Sequence, residues 1–227
     1  MEKIISVIYE NKDFLVINKP AGLLVHGPGY SLVSWLLKHY PEVSNVGDDI
    51  QNRPGIVHRL DKETSGLVLV PRNREAYDYF KKLFQSHQIK KTYLALVHGV
   101  IKNKEGVINK PIGLKQGSLK RTVFIRNAKM IKEAVTCYKL KKVFGDKYSL
   151  LEVEPQTGRT HQIRVHLASV GYPVVGDRLY CPQKFETNLK RHFLHAESLE
   201  FSSPTGERLK IGTDLPDDLQ NFLETAY

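Results

Sequence analysis

The sequence predicts an α+β fold, a mainly antiparallel, mixed sheet with a few flanking helices. Three observations predict it. Short apolar runs bounded by turn residues recur along the chain. Only a few segments carry helical periodicity. No internal repeat, low-complexity tract or Pro/Gly/Ser linker divides the 227 residues. With 41% hydrophobic and 26% charged residues the composition is that of an ordinary globular protein, long enough for one sizeable core or two lobes sharing it. We expect one continuous domain over residues 1–227.

The elements follow in order. Residues 4–9 and 14–17 read as strands separated by the turn Glu10-Asn11-Lys12-Asp13. Asn18-Lys19-Pro20-Ala21-Gly22 is a turn, after which Leu23-Leu24-Val25 resumes the extended pattern. Ser31 caps a helix over 32–39, with Leu32, Trp35 and Leu36 on one face and Pro41 stopping it. Gly55-Ile56-Val57 and Leu67-Val68-Leu69-Val70 are expected to be buried strands flanking a polar nine-residue loop, 58–66. Asn73 caps a helix to about Ser86, and residues 92–97 form a strand.

Strands are next expected at Val123-Phe124-Ile125, at Val135-Thr136-Cys137-Tyr138 and over 148–153. Thr160 is the expected cap of a helix to Val170, with Ile163, Leu167 and Val170 as its buried stripe and Gly171 as its stop. Two late strands, 193–196 and 199–201, precede a short amphipathic helix over 216–225.

Charge narrows the function classes. Thirty-four Lys and Arg against twenty-four Asp and Glu leave +10, which favours a polyanionic partner such as nucleic acid. Residues 115–143 concentrate it, with nine basic side chains and one acid, Glu133. This stretch reads as a basic hairpin or sheet edge contacting RNA; the plainer reading is an edge guarded by lysines against aggregation. No apolar run approaches a membrane span, and the opening residues 1–10 do not make a secretory signal. Cys137 and Cys181 are too few for a disulfide framework or a zinc ligand set, so a reducing, cytoplasmic location is expected. No phosphate-binding glycine loop, nucleophile elbow or H-E-x-x-H spacing is present, and no cofactor or metal is expected. His58, His161, His166 and His195 read as structural hydrogen-bonders.

Two loops could carry chemistry. Asp61, between Arg59 and Lys62, is an ionised, positioned carboxylate, a nucleophile or electrostatic stabiliser; the alternative is a solvated turn with a weak local ion pair. Gln156-Thr157-Gly158-Arg159-Thr160-His161-Gln162-Ile163-Arg164 runs into a helix N-terminus with two arginines. It could hold an RNA phosphate or the Asp61 carboxylate, or be an exposed helix start. Tyr93, on a strand, reads from spacing alone as a core residue.

The motifs together resemble a known family. Arg53-Pro54-Gly55-Ile56-Val57-His58-Arg59-Leu60-Asp61-Lys62-Glu63-Thr64-Ser65-Gly66 is similar to the signature loop of the RluA-type RNA pseudouridine synthases. Asn18-Lys19-Pro20-Ala21-Gly22-Leu23-Leu24-Val25-His26 resembles their first motif, Lys91-Thr92-Tyr93 their tyrosine motif, and Thr157 to His166 their arginine motif. The latter is followed by Gly171-Tyr172-Pro173-Val174-Val175-Gly176-Asp177, and Leu194-His195-Ala196 resembles the last motif. The order is the family's, and the motifs span most of the chain. Val70-Pro71-Arg72-Asn73 departs from a common alanine–lysine pair, and the chain is expected to lack the S4 RNA-binding domain of many relatives.

The resemblance implies the pseudouridine synthase fold with a central RNA-binding cleft, and the isomerisation of uridine to pseudouridine. By resemblance Asp61 acts at the sugar, as a nucleophile at C1′ or through a glycal. Arg164 is expected to pair with it. Tyr93 and Leu194 lie against the uracil, with Tyr93 also a candidate proton acceptor. Arg59 fills the space the flipped base vacates, and His58, Thr64 and Arg159 complete the substrate contacts. The implied partner is large-subunit rRNA or tRNA, bound by a monomer without a membrane. Two other classes fit part of the pattern. A non-catalytic RNA-binding or ribosome-assembly factor would not need Asp61, Tyr93 and Arg164 together. A hydrolytic glycosidase or nuclease would need a second carboxylate, for which only Glu63 is near.

Overall fold

The structure, a computed structural model, describes residues 4–118, 120–182, 185 and 187–225. Met1-Glu2-Lys3, part of the opening segment that is not expected to be a secretory signal, lies outside the described residues. The elements in chain order are β1 (Ser6–Glu10), β2 (Phe14–Lys19), α1 (Leu32–His39), β3 (Ser65–Pro71), α2 (Arg74–Gln85), β4 (Lys90–His98), β5 (Glu105–Asn109), β6 (Ile112–Lys115) and β7 (Arg121–Thr122). They continue with β8 (Ala128–Lys132), β9 (Val135–Phe144), β10 (Tyr148–Pro155), α3 (Gln162–Ser169), β11 (Leu194–Ser202), β12 (Arg208–Gly212) and α4 (Asp217–Glu224). This is the expected mix of antiparallel strands and few helices. The chain divides into two compact units, Met1–Lys91 with Ala196–Asp214, and Thr92–His195 with Leu215–Tyr227.

In the first unit β1, β2 and β3 pair antiparallel in succession, and β11 pairs antiparallel with β12. β3, Ser-Gly-Leu-Val-Leu-Val-Pro, is buried at every position, as a strand covered on both faces must be. Gly66 within it takes φ +113 and abuts the backbone of Ala196, where no side chain fits. The core is an edge-to-face aromatic group. Phe14, Phe80 and Phe201 have ring centroids 5.0 to 5.7 Å apart, a geometry worth about 0.5–1.5 kcal/mol per pair beyond area burial. α1 and α2 start at the expected caps. Ser31 and Ser34 form a reciprocal capping box, and Asn73 Oδ1 accepts the Ala76 N–H at 2.8 Å.

In the second unit β4, β10, β9 and β5 form an antiparallel run in that order. β6, flanked by β7 and β8, makes a separate three-stranded antiparallel sheet. The core gathers Leu96, Val97, Leu151, Val153, Leu167, Val174 and Phe193, and α4 closes it with Leu219.

Four local expectations fail, each for a physical reason. Gly55-Ile56-Val57 is not a strand. Gly55 sits at φ +71 with its α-carbon against Val43, and its N–H closes a turn onto the Val46 carbonyl. At Val123-Phe124-Ile125 the strand stops at Thr122, whose Oγ1 takes the Phe124 N–H at 3.1 Å and diverts the chain into a 3-10 turn. Thr160 does not cap α3, which begins at Gln162 after His161 in a left-handed conformation, φ 57. The two late strands are one, β11, because Glu197 and Ser198 continue the ladder instead of breaking it.

Candidate active site

Asp61 sits on the loop that links the Gly55 turn to β3. Its carbonyl accepts the Thr64 N–H at 3.1 Å, closing a tight bend around the carboxylate-bearing residue. The next carbonyl, that of Lys62, is held twice, by the Gly22 N–H at 2.7 Å and by Lys19 Nζ at 3.2 Å. Lys19 is fully buried, and its ammonium also donates to the carbonyls of Pro20 and Leu23, both at 2.9 Å. A lysine at the end of the apolar strand β2 therefore clamps the first motif to the Asp61 loop. The sequence signal for this role is a cation ending a buried apolar strand.

His58 and Thr64 brace the same loop. His58 Nε2 accepts the Leu69 N–H at 2.9 Å, and its ring stacks on Phe84 at 4.4 Å. Burial, reinforced by the nearby Lys91 ammonium, pushes its pKa down to about 3, so the imidazole is neutral and serves as an acceptor. Thr64 is buried, whereas Arg59 is exposed and free to reach a ligand. Burial and then the Arg59 and Arg53 charges lower the His26 pKa, and His26 Nδ1 is buried without a hydrogen-bond partner among the described residues.

In the second unit the arginine motif is built around Gln162. Its Oε1 accepts from Thr157 Oγ1 at 2.7 Å and from the Arg159 N–H at 3.0 Å. Its Nε2 donates to the Val135 carbonyl and to Thr136 Oγ1. One buried amide thus stitches the loop before α3 to β9, and it replaces the expected threonine cap. Arg159 reaches the Glu133 carbonyl through Nε at 3.0 Å. His166, completely buried, bonds Thr136 Oγ1 and the Lys110 carbonyl.

Arg164 points its Nε and Nη2 at Asp177, at 2.7 and 2.9 Å. Both side chains are almost wholly removed from water. Burial pushes the Asp177 carboxyl up, but the Arg164 fork and the Leu179 N–H outweigh it and leave it below the ordinary value. Asp177 Oδ1 also accepts the N–H groups of Leu179 and Tyr180, so it closes the following turn. That turn sets Tyr180 beneath the Arg164 guanidinium, 5.2 Å from its ring centroid, with the phenol oxygen 2.9 Å from His161 Nδ1. Asp177 ends the motif that starts at Gly171, but nothing local in the sequence signals its partner, and Tyr180 carries no signal.

Tyr93 lies on β4 opposite Val153, packed against the core, and Leu194 is buried at the start of β11. The sequence-predicted residues thus fall on both units: Arg59, His58, Asp61 and Thr64 on the first, and Tyr93, Arg159, Arg164 and Leu194 on the second.

This construction has counterparts among known proteins. The profile of the RNA pseudouridylate synthase family matches residues 13–169. The chain belongs to this family. A Bacillus subtilis protein named an uncharacterized RNA pseudouridine synthase, YlyB, is 37% identical over 225 residues, covering 97% of this chain and 72% of its own length. A Nitrosomonas europaea protein named ribosomal large subunit pseudouridine synthase D is 38% identical, over 97% of this chain and 64% of that protein. Among solved structures, human RNA pseudouridylate synthase domain containing 1 superposes with a TM-score of 0.79 at 29% identity, over 95% of this chain and 87% of that one. The RluA-type resemblance and the pseudouridine synthase fold are therefore both found, and as a pseudouridine synthase the chain falls among the isomerases.

Proposed function

We propose that this pseudouridine synthase converts one or more uridines of large-subunit rRNA or tRNA to pseudouridine, with Asp61 as its essential acid. The observation that carries the reading is the immobilised Asp61 bend. A buried ammonium and two backbone N–H groups hold the carbonyls of Asp61 and Lys62, which is costly construction for an idle surface turn. The names of the ribosomal relatives favour rRNA.

The reaction breaks the C1′–N1 bond, turns the uracil, forms C1′–C5, and moves the C5 proton to N1. Nothing is gained or lost, so no redox partner enters. The Asp61 carboxylate acts at the sugar, by attack at C1′ or by promoting loss of the C2′ proton. Arg164, itself aligned by Asp177 and Tyr180, is the cation we assign to that carboxylate, as the family resemblance implies. Tyr93 and Leu194 shield the detached base from water, which would otherwise divert the sugar to hydrolysis. Tyr93 takes up the C5 proton once C1′–C5 has formed, and a proton is returned to N1, so the count of atoms and charge is unchanged. Arg59 takes the place of the flipped nucleotide, and Thr64, His58 and Arg159 support the strand around it. The enzyme works as a cytoplasmic monomer; among the described residues no helix is long and apolar enough to cross a membrane.

The test compares pseudouridine maps of rRNA and tRNA from cells with the gene, without it, and with only Asp61→Asn. A site that vanishes on deletion and stays absent with Asp61→Asn is the expected result. Continued modification with that variant overturns the assignment of Asp61, and free uracil released from RNA overturns the isomerase reading.

A further inference from the structure

The sheet of β6, β7 and β8, with the 3-10 turn that links β7 to β8, presents an outer face that the fold does not explain. Residues 112–132 contain six Lys and Arg and no Asp or Glu. Among the described residues, none of Lys115, Lys120, Arg121, Arg126, Lys129 and Lys132 forms an ion pair. Interleaved with these cations are four large apolar side chains turned to solvent: Phe124 is 78% exposed, Met130 69%, Ile125 48% and Ile131 45%.

The sheet does not need them for packing. Its inner side is anchored by Ile112 and Val123, which pack with Ala134, Val165 and Tyr180. Its base is tied down by the Arg121 N–H on the Tyr180 phenol oxygen at 2.9 Å and by Lys120 Nζ on the Leu179 carbonyl at 3.3 Å. On β8 the register slips between the Ile112–Lys132 and Leu114–Lys129 pairs, and Met130 takes φ 52. Such a bulge re-aims side chains that a regular strand would turn the other way. An edge guarded only against aggregation would carry the lysines without an outward phenylalanine and methionine.

We propose that this outer face is a platform for unpaired nucleotides of the RNA substrate. Phe124 takes the face of a base, and Arg126, Lys129 and Lys132 take neighbouring phosphates. Aromatic rings interleaved with cations suit a single strand, because every base has a π-face and every linkage a charge. A fully paired helix hides its base faces from Phe124. This sheet therefore selects loops over duplex, at a distance in sequence from the Asp61 motif. The inference rests on the RNA reading above but concerns binding, not turnover.

The test measures fluorescence anisotropy of a fluorescein-labelled stem–loop transcript and of a fully paired RNA duplex, over a KCl series. The proteins are wild type, Phe124→Ala, Phe124→Trp and the triple variant R126Q/K129Q/K132Q. Phe124→Ala is expected to weaken the stem–loop about tenfold with little change for the duplex, and Phe124→Trp to restore it. The triple variant is expected to flatten the salt dependence by about two in log–log slope, at roughly 0.7 per single-strand phosphate. Phe124→Ala binding the stem–loop as tightly as wild type overturns the platform, as does equal loss on loop and duplex. So does loss of pelleting with anionic phospholipid vesicles alone, which would assign the face to a membrane. Wild type that binds RNA but makes no pseudouridine would sink the isomerase reading and leave the platform standing. Unaltered Phe124→Ala binding beside normal modification would do the reverse.

Discussion

Arg164 grips Asp177 through two parallel hydrogen bonds, Nε to Oδ2 at 2.7 Å and Nη2 to Oδ1 at 2.9 Å, with both groups out of water. Paired this way, each charge offsets the other's desolvation, and the guanidinium plane cannot rotate. Losing one partner leaves the other buried and uncompensated.

Asp177→Asn should therefore cost about 3–5 kcal/mol of stability and lower pseudouridine formation, while Asp177→Glu restores part of both. The pH dependence distinguishes a lost charge pair from loosened packing. The folded Asp177 titrates below its ordinary value of 3.8, so its stabilisation is present above that value and is lost as pH falls through the folded pKa. Melting curves in acid should fall more steeply for wild type than for Asp177→Asn. Parallel curves would show that the pair contributes nothing through its charge.

His58 gives the same direction for a different reason, since burial excludes its charged form whereas the Arg164 pair favours that of Asp177. Its folded pKa near 3 lies below the ordinary 6.5, so between the two the unfolded chain binds the extra proton. Stability should rise with pH across that window, by less than about 1.4 kcal/mol per pH unit, because the half-buried ring keeps some contact with water. His58→Gln, whose amide oxygen can still accept the Leu69 N–H, should lose this slope and keep most of the stability at neutral pH. Urea midpoints measured against pH check it.

Lys19→Met leaves the carbonyls of Pro20, Leu23 and Lys62 without their shared donor. An unsatisfied buried carbonyl costs about 1–3 kcal/mol, and part of this is recovered if water enters. A loss of about 2–4 kcal/mol is expected, with hydrogen exchange at the Gly22 and Thr64 amides speeding up before the β3 amides do. Uniform exchange across all three would show that the clamp does not act locally.

Gln162→Leu should free the segment Thr157-Gly158-Arg159 from β9 at similar stability cost, because four hydrogen bonds converge on one amide. Gln162→Glu keeps the acceptor but loses the donors to Val135 and Thr136, and should fall between. Proteolytic nicking near Arg159 in the variants is the readout.

Much of this architecture was legible in the sequence, and the residues that escaped share a physical reason. The caps Ser31 and Asn73, the buried strand β3 and the stop at Gly171 are local signals, readable from neighbours in the chain. Motif order was likewise visible and brought the family with it. Gln162, Asp177 and Tyr180 each also bind a partner far along the chain, Val135 for Gln162, Arg164 for Asp177 and Arg121 for Tyr180, which no local pattern encodes. Gly55-Ile56-Val57 has the apolar pattern of a strand, and the contact that overrides it, the glycine N–H on the Val46 carbonyl, is formed only in the fold.

Tyr180 has one phenol oxygen, and it meets both the Arg121 amide and His161 while its ring underlies Arg164. The root of the β6–β8 excursion is thus tied to the residues that hold the guanidinium, while its turn at Gln116 and Gly117 stays open to solvent. Insertions or exchanges at that far end can be absorbed without disturbing the guanidinium, so relatives could diverge in the RNA they choose while inheriting the same chemistry unaltered.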